Sequence, residues 1–196
     1  MPVLRSAAIA IAVLALAVLA LAVPAAQATM PSPVLVVGDS LAVGMKPYLS
    51  AQLGSSEVVW DARSGRTTPE GLVHLRARLR DVTPQTVVIS LGTNDGTDPG
   101  RFGSRIQRAL QAIPASACIV WTDINRPPRK GRYRGLNRVL EQAANHDPRM
   151  VLVHWDRAVL HGSVSLPDGL HPDAAGFKYR SLMVAGAVAR GCTAAA

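Results

Sequence analysis

The sequence is short of aromatic residues and of cysteine. Aromatic residues make up only 4% of the 196 positions, so the core must consist mainly of Val, Leu, Ile and Ala. There are two cysteines, no Cys/His cluster and no H-E-x-x-H pattern, so the sequence predicts no metal site. It also contains no internal repeat and no long low-complexity linker, which favours a single domain of ordinary size.

Residues 1–28 have the pattern of a secretory signal peptide. Arg5 precedes 17 consecutive apolar residues, Ala7–Val23, and Ala26-Gln27-Ala28 supplies a small-residue cleavage site. A membrane-spanning helix needs about 20 such residues, so an anchor that stays attached is the alternative that we favour less. We therefore predict a secreted or extracytoplasmic protein, with no stable membrane span after cleavage, whose domain occupies residues 29–196.

Acidic side chains are outnumbered by basic ones, 13 to 21, which gives a net charge of +8. Such a balance can indicate nucleic-acid binding. Here the arginines are scattered, and no basic stripe interleaved with aromatic residues is present, so we predict no nucleic-acid partner. A basic exported protein is better suited to an anionic cell envelope or polysaccharide.

Short apolar segments alternate with segments of helical periodicity along the chain. The predicted strands are Val34–Val37, Glu57–Asp61, Thr86–Leu91, Cys118–Thr122 and Met150–His154. The predicted helices are Leu41–Leu53, Pro69–Leu79, Gly103–Ile113, Gly135–Asn145 and Asp173–Arg190. This alternation predicts an α/β fold, a three-layer α/β/α sandwich around a five-stranded parallel sheet. With right-handed crossovers, 2-1-3-4-5 is the simplest strand order.

Polar and glycine-rich stretches follow the predicted strands. Gly38-Asp39-Ser40 follows the first strand, Gly92-Thr93-Asn94-Asp95 the third, and Asp123–Arg134 the fourth. In open parallel sheets, ligands bind beyond the carboxyl ends of the strands. These stretches therefore predict a functional site at that edge of the sheet.

Ser40 stands where the first strand ends and a helix begins. The positive end of the helix dipole and the free N–H groups there favour an anion, so Ser40 is a candidate nucleophile. The alternative is that Asp39 or Ser40 only caps the helix. The G-x-S-x-G elbow of α/β-hydrolases is not matched, because Ala42 replaces its second glycine. The residues around Ser40 do not by themselves decide whether it is a nucleophile or part of a helix cap.

A nucleophilic serine needs a base, and Asp168-Gly169-Leu170-His171 supplies a candidate. The carboxylate, three residues before the imidazole, can accept a hydrogen bond from Nδ1 and leave Nε2 free for the serine proton. His171 precedes the last predicted helix, so it can reach the same edge of the sheet as Ser40. The other histidines lack such a partner, and we interpret them as structural or solvated residues.

Two further residues are candidate donors to an oxyanion. Gly65 follows the second strand, where the missing Cβ lets a backbone N–H approach a substrate, and Asn94 can donate from its side-chain amide. Each also has an ordinary interpretation, Gly65 as a turn glycine and Asn94 as an Asx-turn residue. Their predicted place at one edge with Ser40 and His171 favours the functional interpretation.

The segments, in this order, resemble the sequence blocks of the SGNH hydrolases, also called GDSL-type esterases and lipases. Gly38-Asp39-Ser40-Leu41 is similar to the nucleophile block, Gly92-Thr93-Asn94-Asp95 to the third block, and residues 168–172 (DGLHP) to the final D-x-x-H-P block. Gly65 is placed like the second-block glycine. The resemblance implies a flavodoxin-like sandwich and ester hydrolysis without metal or cofactor. It also implies an oxyanion hole formed by Ser40, Gly65 and Asn94.

The expected activity is that of an exported, monomeric serine esterase. Ser40 attacks an ester carbonyl, His171 takes the serine proton, and Asp168 orients His171. The sequence has no long apolar lid, so a short-acyl ester is expected, for example an acetyl group on a cell-envelope glycan. An acyltransferase would have the same site. A glycan-binding pseudoenzyme and a metal site at Asp168, His171 and Asp173 are weaker alternatives.

The loop after the fourth strand carries basic residues close to the predicted site. Arg126, Arg129, Lys130 and Arg132 are therefore candidate substrate-binding residues. They would favour anionic or envelope-bound esters, and the alternative is an ordinary solvated loop.

The two cysteines are expected far from this site. Cys118 opens the fourth strand and Cys192 follows the last helix, so both should lie at the opposite edge of the sheet. Outside the cytoplasm they could form a disulfide there, and two free buried thiols are the alternative.

Overall fold

The computed structural model describes residues 33–54 and 56–192, so the predicted signal segment lies outside the described residues. The strands are β1 (Val34–Gly38), β2 (Val58–Ala62), β3 (Thr86–Ser90), β4 (Cys118–Thr122) and β5 (Met150–Val153). The helices are α1 (Ser40–Gln52), α2 (Thr68–Asp81), α3 (Pro99–Ala112), α4 (Arg134–His146), α5 (Trp155–Leu160) and α6 (Ala174–Arg190).

All five strands run parallel in the order β2-β1-β3-β4-β5, which confirms the predicted α/β fold and strand order. The three central strands, β1, β3 and β4, are buried along their whole length. They have to be apolar on both faces, and this is why they appear in the sequence as continuous apolar runs. Gly38 pairs with Ala62 on one side and Ser90 on the other, so the loops that follow β1, β2 and β3 start at the same level.

Two apolar layers cover the two faces of the sheet. On one face, Leu35 and Val37 of β1 pack with residues of α2, α3 and α4. On the other face, Val34 and Val36 pack with residues of α1 and α6. Alternate residues of one strand thus serve opposite cores, as the two-residue period of a strand requires. The result is the predicted three-layer sandwich.

The helices differ from the predicted ones mainly in two ways: a cap moves the start of one helix, and one short helix is additional. Helix α3 begins at Pro99, because the carboxylate of Asp98 accepts hydrogen bonds from the N–H groups of Gly100 and Arg101. The six residues of α5 had not been predicted, because so short a helix has almost no periodicity to recognise. A single 3₁₀ turn, Pro128–Lys130, lies inside the basic loop.

A disulfide joins Cys118, the first residue of β4, to Cys192 after α6, with Cα atoms 5.3 Å apart. It lies at the amino edge of the sheet, opposite the loops that carry Ser40 and Asn94. In the described part of the chain, no helix is both long and apolar enough to span a bilayer.

Candidate active site

The strand-to-helix turn after β1 presents Ser40 at the carboxyl edge of the sheet. Asp39 is the N-cap of α1, since its Oδ1 accepts a hydrogen bond of 2.9 Å from the N–H of Leu41. Its own N–H donates to the carbonyl of Ser90 on β3, at 3.0 Å. Asp39 therefore performs the capping, and the hydroxyl of Ser40 remains free to bond elsewhere.

The turn requires glycine at position 38. A Cβ added to Gly38 would lie 2.3 Å from the Cβ of Ala42 and 3.0 Å from the carbonyl oxygen of Ser90. Only a residue without a side chain lets α1 start so close to β1 and β3. This close approach sets the position of Ser40, two residues later.

Ser40 and His171 meet across the top of the sheet. The Nε2 atom of His171 lies 2.8 Å from Oγ of Ser40, and its Nδ1 atom lies 2.7 Å from Oδ2 of Asp168. His171 precedes α6, whose N-cap Asp173 accepts a hydrogen bond from the N–H of Gly176. The start of α6 thus holds the imidazole between the carboxylate and the serine.

Asp168 is held in its ionised form. Its hydrogen bond with the His171 side chain, and those from the N–H groups of His171 and Leu170, keep the pKa of this carboxyl well below its usual range. About half of its side chain is exposed, so water also stabilises the ionised carboxylate and screens these interactions. An ionised Asp168 favours the tautomer in which the Nδ1 atom of His171 carries the proton and Nε2 can accept one.

Asn94 lies in the turn that follows β3, close to the turn that follows β2. Its Nδ2 donates to the carbonyl of Arg66 at 3.2 Å, and its Oδ1 accepts from the ammonium of Lys130 at 2.9 Å. The buried Arg66 is fixed by an ion pair with Asp61 of β2, whose Oδ1 lies 2.8 Å from Nη2 of Arg66. Asn94 is thus connected to the second-strand loop through Arg66.

Gly65 occupies the turn between Arg63 and Arg66. Its φ of +77° lies in the left-handed region, which favours glycine. A Cβ added here would meet no atom within 4 Å, so this side of the turn is open. The structure therefore brings Gly65 and Asn94, the two predicted donors, to adjacent turns at the edge that carries Ser40.

A buried charged cluster, Asp39, Asp123 and Arg180, lies beneath these loops. The guanidinium of Arg180 stacks on the ring of Trp155 at 4.6 Å and donates to the hydroxyl of Thr122 at 2.8 Å. Burial raises the pKa of Asp39 and of Asp123 to about 6 and lowers the pKa of Arg180 to about 10. The attraction of Arg180 for both carboxylates partly offsets the cost of burying them.

The sequence motifs described above do not indicate this buried cluster. Arg180 lies in the last helix among apolar residues, and yet it is only 1% exposed. A lone arginine on the apolar face of a helix is the one signal that could have identified it, because a buried cation needs buried partners.

Three of the four basic loop residues that we predicted to bind substrate have partners within the protein. The prediction for Arg126 is wrong: the residue is only 3% exposed and its guanidinium donates to six main-chain carbonyls, so it does not face a substrate. Arg129 donates to the backbone carbonyl of Asp168 at 2.8 Å, and Lys130 to the side chain of Asn94. Arg132 is exposed.

The metal alternative rested on Asp168, His171 and Asp173. In the structure the Asp173 carboxylate caps α6, and the His171 ring bonds Asp168 and Ser40. Among the described residues, no group of three or more His, Cys, Asp and Glu side chains could hold a metal ion.

The arrangement can perform nucleophilic chemistry. A hydroxyl, an imidazole and a carboxylate form one hydrogen-bonded chain. The hydroxyl belongs to the first residue of α1, and a turn glycine and a side-chain amide lie in loops at the same edge of the sheet. This combination is suited to acyl transfer, in which a base activates the nucleophile and nearby donors stabilise an oxyanion.

Comparisons with known proteins agree with this chemistry. The GDSL-like lipase/acylhydrolase family matches residues 36–179. An arylesterase of Vibrio mimicus is 29% identical over 158 residues, which are 71% of this chain and 79% of the relative. The thioesterase 1/protease 1/lysophospholipase L1 of Escherichia coli K12 is 26% identical over 156 residues, 71% of this chain and 75% of the relative.

A solved structure shares the fold. The C-terminal catalytic domain of a peptidoglycan O-acetyltransferase from Streptococcus pneumoniae superposes with a TM-score of 0.68 at 19% identity, covering 81% of this chain and 93% of that domain. Since the family match covers most of the chain and includes Ser40 and His171, this protein belongs to the GDSL-like lipase/acylhydrolase (SGNH hydrolase) family of esterases.

Proposed function

We propose that this protein hydrolyses short-acyl carboxylic esters through an acyl-enzyme on Ser40. The observation that carries the proposal is the continuous hydrogen-bonded chain from Asp168 Oδ2 through His171 to Ser40 Oγ, with distances of 2.7 and 2.8 Å. Distances of this length are those at which a base can take a proton from a nucleophile.

The reaction proceeds in two halves. The Oγ atom of Ser40 attacks the ester carbonyl carbon while its proton moves to Nε2 of His171. The tetrahedral intermediate then collapses, the bond to the alcohol breaks, and His171 returns the proton to the leaving oxygen. Water, deprotonated by His171, attacks the acyl-serine, and the carboxylic acid leaves as Ser40 recovers its proton.

The oxyanion is stabilised by three donors in this proposal. They are the backbone N–H groups of Ser40 and Gly65 and the side-chain amide of Asn94. The N–H of Ser40 belongs to the first turn of α1, where the helix dipole adds to its effect. One N–H of the Asn94 amide is used by the carbonyl of Arg66, and the second is available to a substrate.

The substrate is proposed to carry a negative charge. A cleft of about 610 Å³ is lined by the exposed side chains of Arg132, Arg134 and Arg138, together with Tyr133. None of these arginines takes part in an ion pair within the described residues. Pro128 and Gly131, on either side of Lys130, also line the cleft. Lys130 contacts Asn94, so we place an anion bound there close to the ester.

Ser40→Ala tests the mechanism, with Ser116→Ala at the opposite edge of the sheet as the matched control. Aryl esters of increasing acyl length and acetylated glycans are assayed. Ser40→Ala should lose at least about 10³-fold in kcat, while the control retains its activity. Equal activity in Ser40→Ala and the control would remove Ser40 from the mechanism, and no ester turnover by the wild type would favour a glycan-binding pseudoenzyme.

The anionic preference is tested by changing Arg132, Arg134 and Arg138 together to Gln. The control changes three exposed arginines elsewhere, Arg76, Arg80 and Arg108, so that net charge falls equally. The ratio of kcat/KM for an anionic ester to that for a neutral ester should fall only in the first variant. An equal ratio in both variants would assign the preference to overall charge and contradict binding of the anion in the cleft.

Transfer of the acyl group to a sugar hydroxyl is the second candidate activity. The side chains of Asp168 and His171 are 52% and 39% exposed, so this side of the site is open to an alcohol as well as to water. Product analysis with an added glycan acceptor separates the two reactions, since transfer yields an acylated glycan and hydrolysis yields the free acid.

We further propose that residues 1–28 are removed during export. The disulfide between Cys118 and Cys192 supports an oxidising compartment, where such bonds persist. Intact mass measured after expression in an exporting host tests this, because the mature chain should begin at Thr29.

A further inference from the structure

Lys130 is the one residue of the basic loop whose charged group contacts a candidate catalytic side chain. Its Nζ atom lies 2.9 Å from Oδ1 of Asn94. An ammonium group only donates hydrogen bonds, so the oxygen of the Asn94 amide must face Lys130. The carbonyl of Arg66 only accepts, so the nitrogen must face Arg66, at 3.2 Å. Both contacts thus select the same orientation of the amide.

This orientation is the one that an oxyanion hole needs. With Oδ1 occupied by Lys130, the amide nitrogen is directed to the side of Arg66 and Gly65. A rotated amide would present its oxygen there and repel an oxyanion. The positive charge of the Lys130 ammonium, next to Oδ1, also polarises the amide, which strengthens its N–H groups as donors.

The loop that carries Lys130 is held firmly against the segment that carries Asn94. The buried guanidinium of Arg126 donates to the carbonyls of Thr93 and Asp95, on either side of Asn94. Gly131 contacts the same segment so closely that a Cβ there would lie 2.6 Å from Cγ2 of Thr97. Lys130 therefore extends from a fixed backbone, which reduces the entropy cost of its hydrogen bond.

From this geometry we infer that Lys130 is a positioning residue, which orients the Asn94 amide for the transition state. The inference rests on the proposed function, since it acts through the oxyanion hole. It differs from our sequence-based prediction that Lys130 binds an anionic substrate. A positioning role lowers kcat for every ester, whereas substrate binding raises KM for anionic esters alone.

The experiment compares Lys130→Met with Lys178→Met, an exposed lysine on α6, on one neutral and one anionic ester. We expect Lys130→Met to lower kcat about 10-fold on both esters with little change in KM, since a hydrogen bond from a charged group contributes at about this level. Lys130→Arg keeps a cationic donor and should recover part of the loss. A rise in KM for the anionic ester alone, with kcat unchanged, would overturn the inference.

A double-mutant cycle with Asn94 separates this inference from the proposed function. Asn94→Ala should cost about 10²–10³ in kcat, and adding Lys130→Met to it should cost less than about twofold more. An undiminished Lys130→Met effect in the Asn94→Ala background would overturn the positioning role. If Asn94→Ala itself left kcat unchanged, the proposed oxyanion hole would fail. Melting temperatures of all variants report whether a loss of activity is a loss of fold.

Discussion

The Nε2 atom of His171 lies 2.8 Å from Oγ of Ser40, although the two residues are 131 positions apart. Each comes from an element that the sheet places independently, Ser40 from the turn after β1 and His171 from the loop before α6. Helices α1 and α6 pack side by side on one face of the sheet, so their first residues reach the same edge. The contact is therefore a consequence of the packing of these two helices.

Asp168 is expected to act through the orientation of His171. We predict that Asp168→Asn lowers kcat on the order of 10³-fold, because an amide nitrogen at this position favours the unproductive tautomer of the imidazole. Steady-state kinetics on an aryl ester measure the effect. Asp173→Asn keeps the cap of α6 and serves as the control, and an equal effect of both changes would contradict the assignment.

The buried Asp39 predicts a dependence of stability on pH. Burial raises the pKa of this carboxyl from its ordinary value of 3.8 to about 6, so the folded protein binds this proton more tightly than the unfolded chain does. Protonated Asp39 therefore contributes its full share to the unfolding free energy below about pH 4, and this contribution is lost as pH rises through about 6.

Asp39→Asn should remove this dependence. A pKa difference of this size corresponds to about 3 kcal/mol. Between about pH 4 and about pH 8 the wild type should lose about this much unfolding free energy relative to the variant. Asparagine still caps a helix, which keeps the start of α1. Urea unfolding at both pH values measures the difference, and parallel pH profiles would contradict the prediction.

Arg180 is expected to be important for stability. We predict that Arg180→Met lowers the unfolding free energy by about 1–3 kcal/mol at neutral pH, because the buried carboxylates of Asp39 and Asp123 lose the attraction of its guanidinium. The loss should be smaller at about pH 5, where both carboxylates take up protons. Denaturant unfolding of wild type and variant at the two pH values measures this, and a loss independent of pH would indicate a packing defect.

The disulfide should stabilise the domain without affecting catalysis. It joins residues 74 positions apart, and in the chain-entropy model a loop of this size corresponds to about 4 kcal/mol. We predict that Cys118→Ala combined with Cys192→Ala lowers the melting temperature and leaves kcat at room temperature unchanged, since the bond lies at the edge opposite Ser40. A large loss of kcat in a folded variant would contradict the prediction that the disulfide does not affect catalysis.

Most of the fold could be predicted from local signals. The apolar run of β4 was predicted with its observed bounds, Cys118–Thr122, because a strand buried on both faces has no polar residue inside it. The start of α3 was missed by four residues because the cap at Asp98 has no hydrophobic signal. Helix α5 was missed because it is only six residues long.

The candidate catalytic residues could be identified from the sequence, but most contacts around the site could not. Asp168 and His171 were paired correctly because they lie three residues apart in one turn, where the chain itself brings them together. Arg126, Arg129 and Lys130 were recognised as close to the site, but their partners within the protein were not foreseen. Each of the three bonds a segment more than 30 residues away.

The sequence by itself determined the order of strands and helices, the polar loops at one edge of the sheet, and the serine, histidine and carboxylate that face each other there. These properties depend on periodicity and on short spacings, which are local. Only the tertiary structure decided that Arg180 lies buried near Asp39 and Asp123, and that Lys130 faces Asn94. Those contacts depend on how loops from separate strands pack together, and the direction of a side chain across such a gap leaves no pattern in the sequence.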